Sequence, residues 1–175
     1  MTNAARSTKI KLLVLTGLFS ALIYVFTAYL HVPTGAGYTH AGDGIIYLSA
    51  CLLPTPYAAA AGAIGGGLAD GLSGFVIWLP ATVVIKAVTT TFFSSKTKKI
   101  ITLRNILAII PSLILCVVGY SVYEGTVMAR GFSPSTIIAA FGQTPAYCVQ
   151  VAASTALFLA AGTALDKSGF KRTLL

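Results

Sequence analysis

The small number of charges in this chain, and where they stand, limit its folds more than any other feature. Only 9% of the residues are Asp, Glu, Lys or Arg and 56% are apolar, whereas a water-soluble domain carries roughly 25% charged residues. Ten of the 12 Lys and Arg residues flank apolar segments in three groups: Arg6, Lys9 and Lys11, then Lys96, Lys98, Lys99 and Arg104, then Lys167, Lys171 and Arg172. Basic residues in such places indicate the cytoplasmic loops of an integral membrane protein.

The net charge of +8 raises the question of an anionic partner. Because most basic residues border apolar segments, we interpret them mainly as topology signals in a lipid bilayer, with anionic lipid headgroups as an alternative role. A nucleic-acid partner is not expected. Two cations, Lys86 and Arg130, lie outside the three basic groups.

The apolar segments predict an all-α integral membrane protein with six transmembrane helices in a single domain, residues 1–175. Lys11 to Leu30 contains about 20 residues and reaches about 30 Å as a helix, the thickness of the hydrocarbon core. Asp43 to Leu53 is too short to cross alone, at about 16 Å. Basic termini and a basic middle loop place both ends in the cytoplasm, which requires an even number of crossings. The predicted spans are 11–30, 43–53, 57–72, 80–93, 105–124 and 135–165.

Small residues mark places where helices are expected to meet. Gly17 and Ala21 form a small-xxx-small pair on the first span, which lets either another helix of this chain or another subunit approach closely. The third span is rich in alanine and glycine, with Gly62 and residues 65–67 in its middle. No predicted strand precedes these glycines and no Gly-Lys-Ser/Thr follows them, so a nucleotide-binding loop is excluded.

Residues 31–42 connect the first two spans and include Pro33, Gly35 and Gly37, which disfavour a helix. We expect an outside loop of about a dozen residues here, long enough to act as a lid. Tyr38 and His40 lie in this loop, either as parts of the lid or as interfacial aromatic residues.

Three charged residues stand in the stretch from residue 40 to residue 86, each surrounded by apolar sequence. Ionisable groups at that depth indicate a binding or transport path. Asp43 has the alternative role of a helix N-cap, and Asp70 that of an ion pair with Lys86. Lys86 lies about two turns into the fourth span, on one stripe with Thr82. A lysine so far from either helix end must pair or bind, so we expect a functional role for it.

The remaining polar residues are expected to converge on the outer half of the molecule: Tyr120, Glu124, Gln143, Tyr147, Gln150 and Trp78. Gln143, Tyr147 and Gln150 repeat at i, i+4 and i+7, which places them on one stripe of the last helix. Flat apolar surfaces beside hydrogen-bonding groups suit a small planar polar ring. The alternatives are interhelical hydrogen bonds for the stripe and simple solvation for Glu124.

An enzyme is not expected. The sequence has no His/Glu metal spacing, no G-x-S-x-G motif and only four acidic residues, which leaves little for metal-dependent chemistry. No metal or cofactor is predicted, and Cys51, Cys116 and Cys148 are predicted to be small buried hydrophobic residues. The classes that remain are a transport subunit, an autonomous small-molecule carrier and a structural membrane subunit. No internal repeat supports a carrier built from two halves.

Three motifs together carry a family resemblance: His40-Ala-Gly-Asp43 at a predicted helix start, a Gly/Ala-rich helix ending Leu68-Ala-Asp70-Gly, and Pro80-Ala-Thr82-x-x-Ile85-Lys86-Ala. Over nearly its whole length the chain resembles the substrate-binding S components of energy-coupling factor (ECF) vitamin transporters, in the riboflavin-type group. The Gly-Asp and Pro-Ala-Thr…Lys pattern is most similar to members for hydroxymethylpyrimidine and pyridoxine. Riboflavin, thiamine, pantothenate and queuosine-type precursors remain open as substrates.

The resemblance implies a multi-pass protein of the prokaryotic plasma membrane without ATPase activity of its own. It implies capture of a vitamin from outside, under the loop between the first two helices, and inward delivery with a membrane T component and two ABC-type ATPases. Gly17 and Ala21 would then form the T-component interface. Taken with the polar cluster, the expected vitamin contacts are Lys86, Tyr120, Glu124, Gln143, Tyr147, Gln150, Tyr38, His40, Asp43 and Trp78.

Overall fold

The structure, a computed structural model, describes residues 3–34 and 37–174 and is mainly helical. A two-stranded antiparallel hairpin, β1 (His31–Thr34) and β2 (Gly37–His40), follows the first helix. The helices are α1 (Asn3–Ala28), α2 (Asp43–Leu52), α3 (Thr55–Leu72), α4 (Leu79–Thr89), α5 (Leu103–Leu107), α6 (Ile109–Tyr123), α7 (Pro134–Ala140), α8 (Thr144–Lys167) and α9 (Phe170–Leu174). The ends of the predicted domain (residues 1, 2 and 175) and Gly35 of the predicted loop lie outside the described residues.

The helices agree with the prediction of an all-α membrane protein. Within the described chain, Arg6–Ala28, Leu103–Met128 and Pro134–Lys167 are long and apolar enough to cross a bilayer. Asp43–Leu52 and Val76–Phe92 are apolar but shorter. Length and composition thus support three crossings directly, and the count of six stays a prediction.

The segment predicted as an irregular loop is an ordered hairpin. Val32 pairs with Thr39, and His31 pairs with His40. The Thr34 and Thr39 hydroxyls lie 3.1 Å apart and hydrogen bond across the strands. The β-branched residues favour this extended backbone, although the strands are too short to be recognised from their pattern.

α1 packs on α3 through one face only. A methyl group added at Gly65 of α3 would lie 2.6 Å from the Ser20 carbonyl oxygen and 2.7 Å from Ile23 Cβ. Gly17 and Ala21 lie on an exposed face of α1, where a methyl group added at Gly17 would meet no described atom within 4 Å. The interpretation of this pair as a contact within the chain is therefore wrong.

The glycines of α3 also bring α4 close, as the composition of α3 predicts. A methyl group at Gly62 would lie 3.1 Å from the Lys86 carbonyl oxygen, and one at Gly66 would lie 3.2 Å from Lys86 Cγ. Larger residues at these two positions would push α4 outward. The small residues therefore set the depth at which Lys86 is held.

α2 lies at the centre of the molecule. It has ten residues, about 15 Å of helix, and every one of them is buried. Gly44 lets α8 approach, since a methyl group there would lie 2.5 Å from the Ser154 carbonyl oxygen. Gly42 occupies the N-cap position without a side-chain cap bond. Asp43 is thus the first helical residue, and its interpretation as an N-cap is wrong.

The fifth and sixth predicted spans are less regular than expected. α5 and α6 are separated at Ala108, because Pro111 cannot donate to the Leu107 carbonyl and its ring crowds that group. The outer end of α6 continues as a π-helical turn, Glu124–Met128. A 3-10 turn, Phe141–Gln143, joins α7 to α8.

Side-chain bonds to the backbone fix the helix ends next to the basic loop, residues 94–102. Asp166 of α8 accepts hydrogen bonds from the amides of Ile100 and Ile101, at 2.7 and 2.9 Å. Lys171 of α9 donates to the Cys51 carbonyl oxygen at the end of α2, at 2.6 Å. These bonds satisfy backbone groups that a helix end or a loop leaves unpaired.

Candidate ligand-binding cavity

A cavity lies between the hairpin and the adjoining ends of α3, α4, α6 and α8. It contains about 410 Å³ of space, counting the part that is open to solvent. Its lining residues are Thr34, Gly37, Tyr38, His40, Asp70, Trp78, Thr82, Tyr120, Gln143, Tyr147 and Gln150. A few polar groups set among aromatic rings are typical of sites for small organic molecules.

Behind the floor of the cavity, Lys86 and Asp43 form a buried ion pair. Lys86 Nζ lies 2.6 Å from Asp43 Oδ1, and the two residues are 2% and 3% exposed. Lys86 Nζ also lies 5.3 Å from the centroid of the Tyr120 ring, a cation–π distance. The predicted pair of Lys86 with Asp70 is wrong. Each charge of the observed pair is neutralised by the other in an apolar setting, where a lone charge is costly.

Asp43 also orients Gln150, which lines the cavity. Gln150 Nε2 donates to Asp43 Oδ2 at 2.8 Å. A carboxylate only accepts hydrogen bonds, so the amide nitrogen of Gln150 must face it. The amide oxygen of Gln150 is then the group left to accept a hydrogen bond from an occupant of the cavity.

Aromatic rings form one wall of the cavity. Tyr120 and Tyr147 are stacked, with centroids 5.7 Å apart and ring planes at 19°. Trp78 meets Tyr120 edge-on at 5.7 Å. The Tyr120 hydroxyl lies 3.0 Å from that of Thr82, which ties the wall to α4. The faces of these rings offer a flat apolar surface for a planar ligand.

The hairpin covers the cavity and is tied to the helices. Tyr38 Oη donates to Asp70 Oδ1 at 2.5 Å. Burial, followed by the charge of Asp70, raises the pKa of Tyr38, so the hydroxyl keeps its proton. Gly37 rests on Trp78, the only tryptophan of the chain, whose ring would lie 3.6 Å from a methyl group added at Gly37. The segment predicted as a lid therefore lies over the cavity and contacts its wall.

His40 is a neutral residue at the edge of the cavity. Burial lowers its pKa to about 4, so the ring is uncharged at pH 7. Nδ1 accepts a hydrogen bond from the Gly42 amide at 3.1 Å. Because Nδ1 is the acceptor, the proton of the neutral ring is on Nε2, which makes Nε2 a donor.

Glu124 does not line the cavity. It begins the π-helical turn, and Gln143, which does line the cavity, is its polar neighbour. In the described part of the chain, Glu124 Oε2 is buried without a hydrogen-bond partner. Glu124 is partly exposed, so its simple solvation stays an alternative, with one carboxylate oxygen shielded from water.

Most predicted contact residues come together at the cavity: Tyr38, His40, Trp78, Tyr120, Gln143, Tyr147 and Gln150. Asp43 and Lys86 lie behind its floor, and Glu124 lies next to Gln143. Thr34, Gly37, Asp70 and Thr82 line it without having been predicted. Thr82 could have been predicted from the sequence, because it shares a helical stripe with Lys86. Thr34 and Gly37 could not, because their place at the cavity depends on the formation of the hairpin. The binding role of every one of these residues stays a prediction.

Metal ligands and reactive thiols are not concentrated at this site. Among residues 3–34 and 37–174, no three His, Cys, Asp or Glu side chains come together in a way that could hold a metal ion.

Cys51 and Cys116 are buried, as predicted, but Cys148 is exposed. The prediction of burial is therefore wrong for Cys148, which lies on an outward face of α8.

Comparison with known proteins places the chain in a family. No curated protein matches it significantly. A family model described as the ECF-type riboflavin transporter S component matches residues 7–167. The match covers the membrane helices and all the cavity residues. The chain therefore belongs to the family of S components of ECF-type riboflavin transporters.

Proposed function

We propose that this S component captures a small planar vitamin ring, a pyrimidine or pyridine such as hydroxymethylpyrimidine or pyridoxine, from outside the cell. It delivers the vitamin inward together with a T component and two ABC-type ATPases, in the prokaryotic plasma membrane. The observation that carries this proposal is the cavity under the hairpin, in which stacked Tyr120 and Tyr147 stand beside polar side chains.

The aromatic wall of the cavity favours a single ring. The space of about 410 Å³, part of it open to solvent, lies in the ordinary range of small-molecule sites. The wall offers one indole and two phenol faces, which is enough to cover a single ring. Riboflavin is nevertheless the principal alternative, since the matching family model is named for it. Thiamine and pantothenate are further alternatives.

Replacing Gln143 by methionine is expected to weaken vitamin binding about tenfold, the equivalent of about 1.4 kcal/mol, because it removes a polar group of the cavity. Purified protein is titrated with hydroxymethylpyrimidine, pyridoxine and riboflavin while Trp78 fluorescence is recorded. Thr155→Val in α8 serves as the control, since the Thr155 hydroxyl donates to the Val151 carbonyl of its own helix and Thr155 does not line the cavity. Unchanged affinity in the Gln143 variant contradicts its contact role, and tight binding of riboflavin alone overturns the single-ring substrate.

Native mass spectrometry of the freshly purified protein separates this function from the other classes. A copurified vitamin identifies the substrate by its mass, and a structural subunit would carry none. Liposomes that contain this chain alone should not accumulate the vitamin. Uptake without ATPases would instead favour an autonomous carrier.

We infer further that six helical segments cross the membrane, with the hairpin outside and both chain ends inside. In intact cells, a Gly131→Cys variant is then expected to react with a membrane-impermeant maleimide, while a Lys98→Cys variant reacts only after permeabilisation. Both positions are exposed, and Cys148→Ser removes the exposed native thiol from the background. The opposite labelling pattern would overturn this orientation.

We infer that the exposed face of α1 that carries Gly17 and Ala21 receives the T component. What supports this is the absence of any described atom within 4 Å of a methyl group added at Gly17. Small residues on an outward helix face let a second helix pack closely within a membrane.

A further inference from the structure

Asp70 uses only one of its two carboxylate oxygens. Oδ1 accepts the hydrogen bond from Tyr38 of the hairpin. Oδ2 is buried and has no hydrogen-bond partner in the ranges 3–34 and 37–174. Asp70 is 4% exposed and lines the cavity. A buried acceptor that is left unpaired costs about 1–3 kcal/mol, and more when it is charged.

Two donors of the protein lie near this carboxylate. The Thr82 hydroxyl is within hydrogen-bond reach of Asp70 and also lies 3.0 Å from the Tyr120 hydroxyl, so its single proton serves one of the two at a time. Lys86 is paired with Asp43. Asp43 is the instructive contrast, because both of its oxygens have partners, Lys86 on Oδ1 and Gln150 on Oδ2. Among the described residues, each oxygen of Asp43 has a donor of its own, whereas Asp70 has one such donor, Tyr38, and shares the Thr82 hydroxyl with Tyr120.

We propose that Asp70 is a specificity-determining residue of the cavity, whose Oδ2 accepts an N–H or O–H hydrogen bond from the ligand while Oδ1 holds the hairpin closed through Tyr38. The inference rests on the proposed function, since it takes the cavity to be the vitamin site. The ligand class it selects is a ring with an amino, ring N–H or hydroxyl donor on the edge that faces α3. A ring with only acceptors there is rejected, because it leaves the carboxylate unpaired.

The two bonds of Asp70 support each other. A carboxylate has about four acceptor positions on its two oxygens, so the ligand and Tyr38 do not compete for one of them. A ligand donor on Oδ2 therefore binds under a closed hairpin and does not displace it. Asp70 in this way connects recognition of the ligand to the closure of the cavity.

The connection to the hairpin can be tested without any ligand. Gly37 rests on Trp78, and Trp78 is the only tryptophan, so acrylamide quenching of its fluorescence reports whether the hairpin is closed. Tyr38→Phe and Asp70→Leu, each of which removes one side of the Tyr38–Asp70 hydrogen bond, are each expected to raise the quenching constant about twofold or more. Tyr29→Phe is the matched control, since Tyr29 is exposed at the end of α1 and should leave quenching unchanged. Quenching at the wild-type level in both cavity variants would overturn the role of Asp70 in closure.

The contact with the ligand is tested by pairing protein and ligand changes. The probes are 4-amino-5-hydroxymethyl-2-methylpyrimidine, its analogue without the amino group and its methyl ether. Wild-type protein should bind the analogue that lacks the donor for Asp70 at least about tenfold more weakly than it binds the parent compound. The Asp70→Asn variant should bind the analogue and the parent compound with affinities within about threefold of each other. Equal discrimination by wild type and Asp70→Asn would overturn the contact.

Failure of the proposed function gives a different result from failure of this inference. If no pyrimidine binds even wild-type protein, the single-ring substrate and the contact with Oδ2 are both overturned, while the quenching experiment still decides whether Asp70 holds the hairpin. If pyrimidines bind and Asp70→Asn discriminates like wild type, the cavity is the vitamin site and Asp70 is not its specificity residue.

Discussion

Replacing Lys86 by methionine is expected to destabilise the folded protein by about 3–5 kcal/mol and to abolish vitamin binding. The substitution leaves the Asp43 carboxylate buried without its counter-charge, and breaking one side of a buried ion pair costs about that much. The thermal unfolding midpoint of the purified protein in detergent measures the loss. A Lys86→Met protein that unfolds at the wild-type temperature would contradict the structural importance of the pair.

The double variant Asp43→Asn/Lys86→Met distinguishes two roles of Lys86: stabilising the floor of the cavity from behind, and contacting the vitamin directly. It removes both charges and should recover much of the lost stability, because no uncompensated charge remains. A double variant that folds and binds shows that Lys86 acts only behind the cavity floor, whereas one that folds without binding fits a direct contact of the pair with the vitamin. Lys98→Met is the matched control. Lys98 is exposed in the basic loop, and its replacement should change stability by no more than about 0.5 kcal/mol.

Replacing Gly65 by leucine is the second change with a large expected effect. Even a methyl group at this position would lie 2.6 Å from the Ser20 carbonyl oxygen, so α1 and α3 must separate. We expect a loss of about 3 kcal/mol or more, the upper part of the range for overpacked cores. Thermal unfolding in detergent again provides the measurement, and unchanged stability would mean that the two helices do not cross at Gly65.

Gly17→Leu is the matched variant on the same helix pair, with the same gain in helix propensity. Because nothing described lies within 4 Å of a methyl group at Gly17, vitamin binding should stay at the wild-type level and stability should stay there or rise by up to about 1 kcal/mol. Uptake in cells that express the T component and ATPases should nevertheless fall severalfold, since the larger side chain occupies the surface proposed for the T component. Normal uptake by a stable Gly17→Leu protein would exclude that surface as the interface.

The choice of ion partner shows what a single sequence can and cannot predict. The depth of Lys86 in an apolar segment already indicated that it must pair. Whether it pairs with Asp43 or Asp70 depends on where α2 lies relative to α3 and α4, and Gly62 and Gly66 decide that through packing. Periodicity places residues on one face of their own helix but does not say which other helix that face meets.

Glu124 shows that a shared helix face does not decide which residues reach a cavity. Residues four apart in a regular α-helix share a face, and the Glu124 amide bonds to the Tyr120 carbonyl, so the helix is regular up to Glu124. Tyr120 lines the cavity and Glu124 does not. Glu124 lies about 6 Å further along the helix axis, at the start of the π-helical turn. Periodicity predicts the face of a residue but not the depth at which a cavity ends.

The complete burial of α2 has a consequence for the order in which the protein assembles. Asp43 bonds to Lys86, 43 residues further on, and to Gln150, 107 residues further on. Domains emerge from the ribosome N-terminal end first, so α2 is synthesised long before α8. A ten-residue helix with no lipid-facing side lacks most of its neighbours until then. The floor of the cavity is therefore completed only when the last membrane helix has been made, and a nascent chain that stops before α8 has part of the walls but no site.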